Sequence, residues 1–370
     1  MGKQEINKKI AICFPNKDAS PETFIQAQID LLPADLVLYG GWLPKFYNDN
    51  IIITSRLNQR LNKLSSLFFR RPFFSYNYEL NKLLKKNNIS TILAQFGPSG
   101  VALLPFCKKY NYELIVHFHG FDASVYEILE SNKDKYLEMF FFAKKIIVVS
   151  NIMKRTMIDL CCPTNKIALI PYGPNDIFFE NQPTYESNTF FSIGRFVNKK
   201  APYLTLIAFY ELQKEFPMVK LRMAGTGELL NTCKNMAKAW SIEDNVEFLG
   251  VIKPEQTKLE MENALAFVQH SVIADNGDSE GTPVAVLEAQ AAALPVISTC
   301  HAGIPDVVIN GVSGILVNET DVFDMKEAMK KVLLDRDLAK KMGNNGRKRI
   351  EENFTMTKYI QKLRNCIDEI

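Results

Sequence analysis

In the stretch "DSEGTPVAVLEAQAAALPVIST" (278–299), Glu280 and Glu288 stand eight positions apart around a Gly-Thr-Pro turn that opens a helical pattern. A carboxylate is costly inside a protein unless a partner meets it. Either both glutamates face water, the first favoured by the positive end of the helix dipole, or a hydroxylated ligand docks between them. Helix N-termini attract phosphate through free backbone amides. Gly281 and Thr282 belong to that turn; Pro283 has no N–H to give, which leaves Val284 and Ala285 as the amide donors. A phosphate turn with a carboxylate at each end suits a nucleotide carrying a sugar, since sugars and riboses offer paired hydroxyls.

Three further clusters bear on that choice. In "SIGRFVNKKAP", Arg195 and Lys200 follow an apolar run in a turn before a helix, where fixed cations suit a pyrophosphate or simply a solvated basic turn. "AGTGELL" (224–230) holds a lone Gly-x-Gly, which is weak evidence and can mean no more than a tight turn. "HFHGFDAS" places His117, His119 and Asp122 at the end of another apolar run. Two histidines with one carboxylate and no cysteine motif fall short of a zinc site. His119 could bond a substrate hydroxyl in a cleft, or serve as a buried structural histidine.

These residues sit at the ends of short apolar runs. Runs at 8–14, 34–40, 91–97, 113–120, 144–151 and 166–173 alternate with helical patterns, and after a polar stretch (174–189) the series restarts at 190–196, 220–227, 246–252, 266–271 and 294–299. Such alternation predicts an α/β protein with two doubly wound, Rossmann-like parallel sheets. Ligands of such sheets bind beyond the carboxyl ends of the strands, which is where the charged residues fall. "IAICFPNKD" has no glycine after the first run, so a dinucleotide-binding dehydrogenase is not expected. Met356, Ile360, Leu363 and Ile367 form one apolar helical face that must pack on something.

The composition bounds the rest. The chain has 370 residues, 47% hydrophobic and 23% charged, enough for two domains, and a net charge of only +3 argues against nucleic acid as a partner. Seven cysteines without a CxxC pair read as buried thiols of a reducing, cytoplasmic compartment. The N-terminal apolar run is too short for a signal peptide and no run approaches a membrane span, so a soluble or peripheral protein is expected. Residues 55–86 carry eight cations (Arg56, Arg60, Lys63, Arg70, Arg71, Lys82, Lys85, Lys86) against Glu79. With Leu57, Leu61, Leu64 and Phe68 on one helical face, this segment suits an anionic membrane surface, or a solvated basic face over core leucines.

The ordered series HFHGFD, IPYGPND, GRFVNKK, AGTGEL, VEFLG, DSEGTPVAVLEA, LPVIST and HAGIPDVV resembles the bacterial family 4 retaining glycosyltransferases over nearly the whole chain. "ASPETFIQAQIDLL" and "ILAQFGPSG" are similar to the branch that builds colanic acid and other surface polysaccharides. The resemblance implies the GT-B fold, with two Rossmann-like domains facing a cleft. An acceptor-side domain would span 1–180 plus a C-terminal helix (354–370) that crosses back to it, and a donor-binding domain 186–353. It implies that Glu280 contacts the donor sugar, Glu288 the ribose, Arg195 and Lys200 the pyrophosphate, His119 the sugar near the reacting centre, and Ile252 the base through its main chain. Many relatives have histidine where Gln95 stands, and a glycine at the place of Ala201.

Together these readings predict transfer of a sugar, with retention, from a UDP-sugar to a saccharide acceptor, a lipid-linked one in this reading, with no metal or other cofactor. An epimerase or starch- or glycogen-type synthase of the same fold, and a non-catalytic sugar-nucleotide-binding subunit, are the alternatives. The short chain and the missing lysine-glycine-glycine signature weigh against a synthase.

Overall fold

The computed structural model describes residues 8–17, 22–32, 34–48, 50–54 and 76–369. In the first half, β1 (Ile10–Cys13), β2 (Ala34–Tyr39), β3 (Phe46–Tyr47), β4 (Ile51–Ile52), β5 (Thr91–Gln95), β6 (Glu113–His117), β7 (Lys145–Val148) and β8 (Ile167–Leu169) form one sheet. Its order is β4-β3-β2-β1-β5-β6-β7-β8. In the second half, β9 (Thr189–Ile193), β10 (Lys220–Ala224), β11 (Val246–Gly250), β12 (Ala266–Gln269), β13 (Val296–Thr299) and β14 (Gly314–Val317) form another, ordered β11-β10-β9-β12-β13-β14.

Pairing is parallel throughout, apart from the antiparallel β2–β3 and β3–β4 steps at one edge. Parallel strands are covered on both faces and therefore apolar along their length; every residue of β5, β12 and β13 is buried. Each of the eleven predicted runs coincides with a strand, β9 starting one residue ahead of its run. The short β3–β4 hairpin and β14 were not foreseen.

The topology locates a crevice. In the second sheet the strand order reverses at β9, which lies between β10 and β12. The carboxyl ends of β9 and β12 therefore diverge around an open space, the switch point where open α/β sheets bind ligands. Gly194 and Arg195 leave β9 there, and the chain from β12 runs through it to Glu280.

The last helix, Met356–Asp368, returns to the first sheet's side, as the two-domain fold with a crossing helix predicts. Its buried face is Tyr359, Leu363, Cys366 and Ile367, with Met356 and Ile360 at the margin. Gln28 Nε2 donates to the Tyr359 hydroxyl at 2.8 Å, and Lys145 of β7 meets Glu369 at 3.4 Å. Gly173 lies flat on the helix start, where a Cβ would fall 2.5 Å from Met356 N.

One sequence expectation changes and another lies mostly outside the described residues. Cys161 and Cys300 are exposed free thiols, so the cysteines are not uniformly buried. Most of the basic segment, residues 55–75, lies outside the described residues. The helix Tyr76–Lys86 that ends it buries Leu80 and Leu84 and exposes Lys82, Lys85 and Lys86, a basic outer face over a core-facing stripe. No described helix is long and apolar enough to cross a membrane.

Candidate active site

The turn after β9 is built by close backbone packing. Gly194 N donates to Ala224 O at 3.1 Å and Phe196 N to Thr226 O at 2.9 Å, zipping this turn to the "AGTG" turn after β10. The approach requires glycine: Gly225 has φ +126°, and a Cβ there would fall 1.9 Å from Gly194 O. The Gly-x-Gly pair thus holds the loop that presents Arg195. That guanidinium is exposed and has no protein partner among the described residues.

Lys200, one turn on, is nearly buried and meets Glu280 Oε1 at 3.1 Å and Gln269 Oε1 at 3.4 Å. Burial lowers its pKa, and Glu280 offsets only part of that effect. For Glu280, burial pushes the pKa up, but Lys200 first and Lys199 after it outweigh that and hold the carboxyl below its ordinary range. Glu280 Oε1 lacks a well-aligned hydrogen bond even so; the ion pair is a charge contact that leaves lone-pair capacity for another donor. Lys199, unremarked in the sequence, is buried and fastens the strap carrying Glu280 through Asp278 Oδ1 at 2.9 Å and Ser279 O at 3.2 Å.

Glu288 lies one helix down, in Val284–Ala291. Its carboxylate is half-buried, has no protein partner among the described residues, and burial raises its pKa to about 7. It lines a cavity of about 460 Å³ together with Phe24, Asp30, Asp176, Pro254 and Val284. Ile252, half-buried two residues before Pro254, sits beside this cavity's edge in sequence. The amides of Val284 and Ala285 are those a helix start leaves unbonded. A larger cavity, about 780 Å³, lies at the opposite, amino edge of the first sheet against Lys8, Ser90 and Glu113 and contains none of these residues.

The first half contributes a buried polar network. His119 Nε2 meets Gln95 Oε1 at 2.7 Å and its Nδ1 meets the Tyr172 hydroxyl at 2.6 Å. Gln95 in turn donates to Gln28 at 2.7 Å. A carbonyl oxygen only accepts, so Nε2 carries the proton and Nδ1 accepts from Tyr172. Burial, with His117 adding to it, holds the His119 pKa well below its ordinary value, so the ring is neutral. Both ring nitrogens are thus spent inside the protein, which differs from direct contact of this ring with a sugar. Asp122, wholly buried, accepts from the amides of Gly97, His119 and Gly120 at 2.9, 3.0 and 2.9 Å and so fixes the His-Gly turn.

The two halves meet at these loops. Gly281 packs on His119, where a Cβ would fall 2.3 Å from the carbonyl oxygen. Thr282 Oγ1 donates to Val149 O at 2.6 Å, and Ser279 N to Ser124 Oγ at 3.2 Å. Gly281 and Thr282, expected on the donor, therefore serve in this structure to join the halves. Of the remaining expected residues, Arg195, Lys200 and Glu280 converge at the switch point, and Glu288, Val284 and Ala285 share the next helix. Asp122 was weighed only as a metal-site carboxylate, and Lys199, Tyr172, His301 and Glu319 were not anticipated as site residues, because each acts through backbone or through another side chain.

Comparison with known proteins fits this arrangement. Residues 37–176 match the family model for Glycosyltransferase Family 4, and residues 175–349 that for glycosyl transferases group 1. WcaL of Escherichia coli, named for colanic acid biosynthesis, is 28% identical over 284 residues, 75% of this chain and 70% of that one. The amylovoran biosynthesis glycosyltransferase AmsK of Erwinia amylovora is 30% identical over 234 residues, 62% of this chain and 58% of that one. The HepE protein of Anabaena, solved with UDP, superposes with a TM-score of 0.78 at 14% identity, covering 98% of this chain and all of that one. The two family matches meet at residues 175–176 and together cover 37–349, all of the second sheet and the first apart from β1 and the start of β2, and the chain belongs to the family 4 glycosyltransferases of GT-B fold.

Proposed function

We propose that the protein transfers a sugar, with retention of anomeric configuration, from a UDP-sugar to a lipid-linked saccharide in surface polysaccharide synthesis. The observation that carries this reading is the pair of carboxylates on one strap and helix. Glu280 is ionised against Lys200 with a lone pair to spare, and Glu288 has no partner among the described residues and stands at a cavity wall. A sugar hydroxyl on the first and ribose hydroxyls on the second would satisfy both, with the diphosphate between them on Arg195, Lys200 and the helix-start amides. UDP in the Anabaena neighbour supports the choice of nucleotide, the names of the two relatives support the polysaccharide role, and the excess of cations in 55–86 supports an acceptor at an anionic lipid surface.

In the mechanism we favour, the bond from the anomeric carbon to the diphosphate breaks while the acceptor oxygen bonds that carbon on the same face. The acceptor proton passes to the departing diphosphate oxygen. Arg195, Lys200 and the helix-start amides carry the charge that develops there, so no metal is required. Glu280 orients the sugar, while the His119 turn closes the site against water.

A thermal-shift and turnover screen over UDP-, GDP- and ADP-sugars, with and without EDTA, tests the reading. A donor at 100 times its dissociation constant should stabilise by about 2.7 kcal/mol, and transfer should persist in EDTA. Stabilisation by none of them, or strict magnesium dependence, would overturn it.

A further inference from the structure

We propose that His301, held in one tautomer by Glu319, is a positioning residue that sets the backbone of Glu280 at the donor sugar. The inference rests on the donor role given to Glu280 above. Glu280 N donates to His301 Nε2 at 3.1 Å. An imidazole nitrogen that accepts carries no proton, so the proton is on Nδ1, which meets Glu319 Oε1 at 2.6 Å. The other Glu319 oxygen accepts from Ile273 N at 2.9 Å. One carboxylate, standing just beyond β14, thereby grips the strap between β12 and the Glu288 helix twice: directly at Ile273, and through His301 at Glu280. His301 is 1% exposed, so no water can take over for Nε2.

Position in the fold separates this contact from its neighbours. Other anchors of the strap reach across to the first half, as Ser279 N does to Ser124 Oγ and as Asn276 O does in accepting from Tyr126 N at 3.0 Å. Those bonds part when the cleft opens to admit a nucleotide sugar. His301 and Glu319 belong to the same half as Glu280 and stay with it. The Lys199–Asp278 pair also stays, but it holds the strap two residues before Glu280, whereas His301 grips Glu280 by its own amide. The carboxylate is thus set before the cleft closes, which is the condition for orientation to contribute to rate.

The test compares His301→Phe, which keeps the ring volume without an acceptor, with His301→Gln, whose side-chain oxygen can accept from the amide. Steady-state kinetics with a donor found in the screen are paired with calorimetry of UDP alone, which engages Arg195 and Glu288. Displacing a reacting group by about 1 Å costs on the order of 10²-fold. The Phe variant should lose that much in kcat while binding UDP within about twofold of wild type, and the Gln variant should recover at least about tenfold. Should the Phe variant fail to fold, Glu319→Leu at its part-exposed position carries the same expectation. Wild-type kcat in these variants, an equal loss of UDP affinity, or no recovery with Gln would overturn the proposal while leaving the donor reading intact. A wild-type protein that transfers from no nucleotide sugar would overturn the donor reading first, and this proposal with it.

Discussion

Lys200→Met isolates what the ion pair at the switch point does. At 3.1 Å and an effective dielectric near 20, the Coulomb attraction is about 5 kcal/mol. The variant no longer desolvates an ammonium, which returns part of that, but it leaves Glu280, 8% exposed, without its main cation. Removing one member of a buried pair typically costs about 3–5 kcal/mol; Lys199 still acts on Glu280, so the low end, about 3 kcal/mol, is expected at pH 7.

The pH dependence gives the sign. In the wild type the Glu280 pKa is lowered, so its contribution is present above the unfolded value of about 4.3 and fades as pH falls through the folded value. In the variant burial dominates and the pKa is raised, so the cost appears as pH rises above about 4.3. The stability gap should therefore be widest near neutrality and narrow in acid. Chemical denaturation of wild type, Lys200→Met, Glu280→Gln and the double variant at neutral and acidic pH measures it as a double-mutant cycle, and the double variant should recover part of the loss. A gap at pH 7 below about 0.5 kcal/mol, or one unchanged in acid, would refute the reasoning.

Three other outcomes follow from individual positions. Burial raises the Glu288 carboxyl to about 7, so the ligand-free protein loses stability as pH rises from about 4.3 to 7; Glu288→Gln should stabilise it above that window by up to about 3 kcal/mol while weakening UDP binding, both readable by denaturation and calorimetry. Ala201 sits at φ +35° in the left-handed region, where Ala201→Gly should stabilise by about 0.4–1 kcal/mol; a lower melting temperature would contradict that. Finally, the protein should sediment with anionic liposomes at low salt and less so as salt rises, and charge reversal at Arg56, Arg60, Arg70 and Arg71 should abolish this without unfolding.

The strands were legible because parallel strands buried on both faces leave unbroken apolar runs, as "TILAQ" and "AFVQ" do. The β3–β4 hairpin was not, since two-residue strands such as Phe46–Tyr47 are too short to show a period. β14 hides in "SGILVNET", four residues that begin at the glycine of a Ser-Gly. Charged site residues were legible by type and place: Arg195, Lys200 and Glu280 follow strands that end at the switch point. Lys199 went unremarked beside Lys200, since only the register of the turn decides which side chain enters the crevice and which fastens the strap. His301 and Glu319 lie 18 residues apart on separate strand ends, and their joint action on the Glu280 amide has no local signature. His119 shows the converse: its motif pointed to a ligand contact, while Tyr172 and Gln95, from other elements, take both ring nitrogens.

Retention at the anomeric carbon is the most direct test of the proposed chemistry. With the donor that gives the largest thermal shift and a saccharide acceptor, proton NMR of the product formed in EDTA reads the configuration of the new bond from its anomeric coupling. An α-linked donor should give an α-linked product, formed on the face that Arg195, Lys200 and Glu280 define. A β-linked product, or an epimerised donor with no new glycosidic bond, would contradict it.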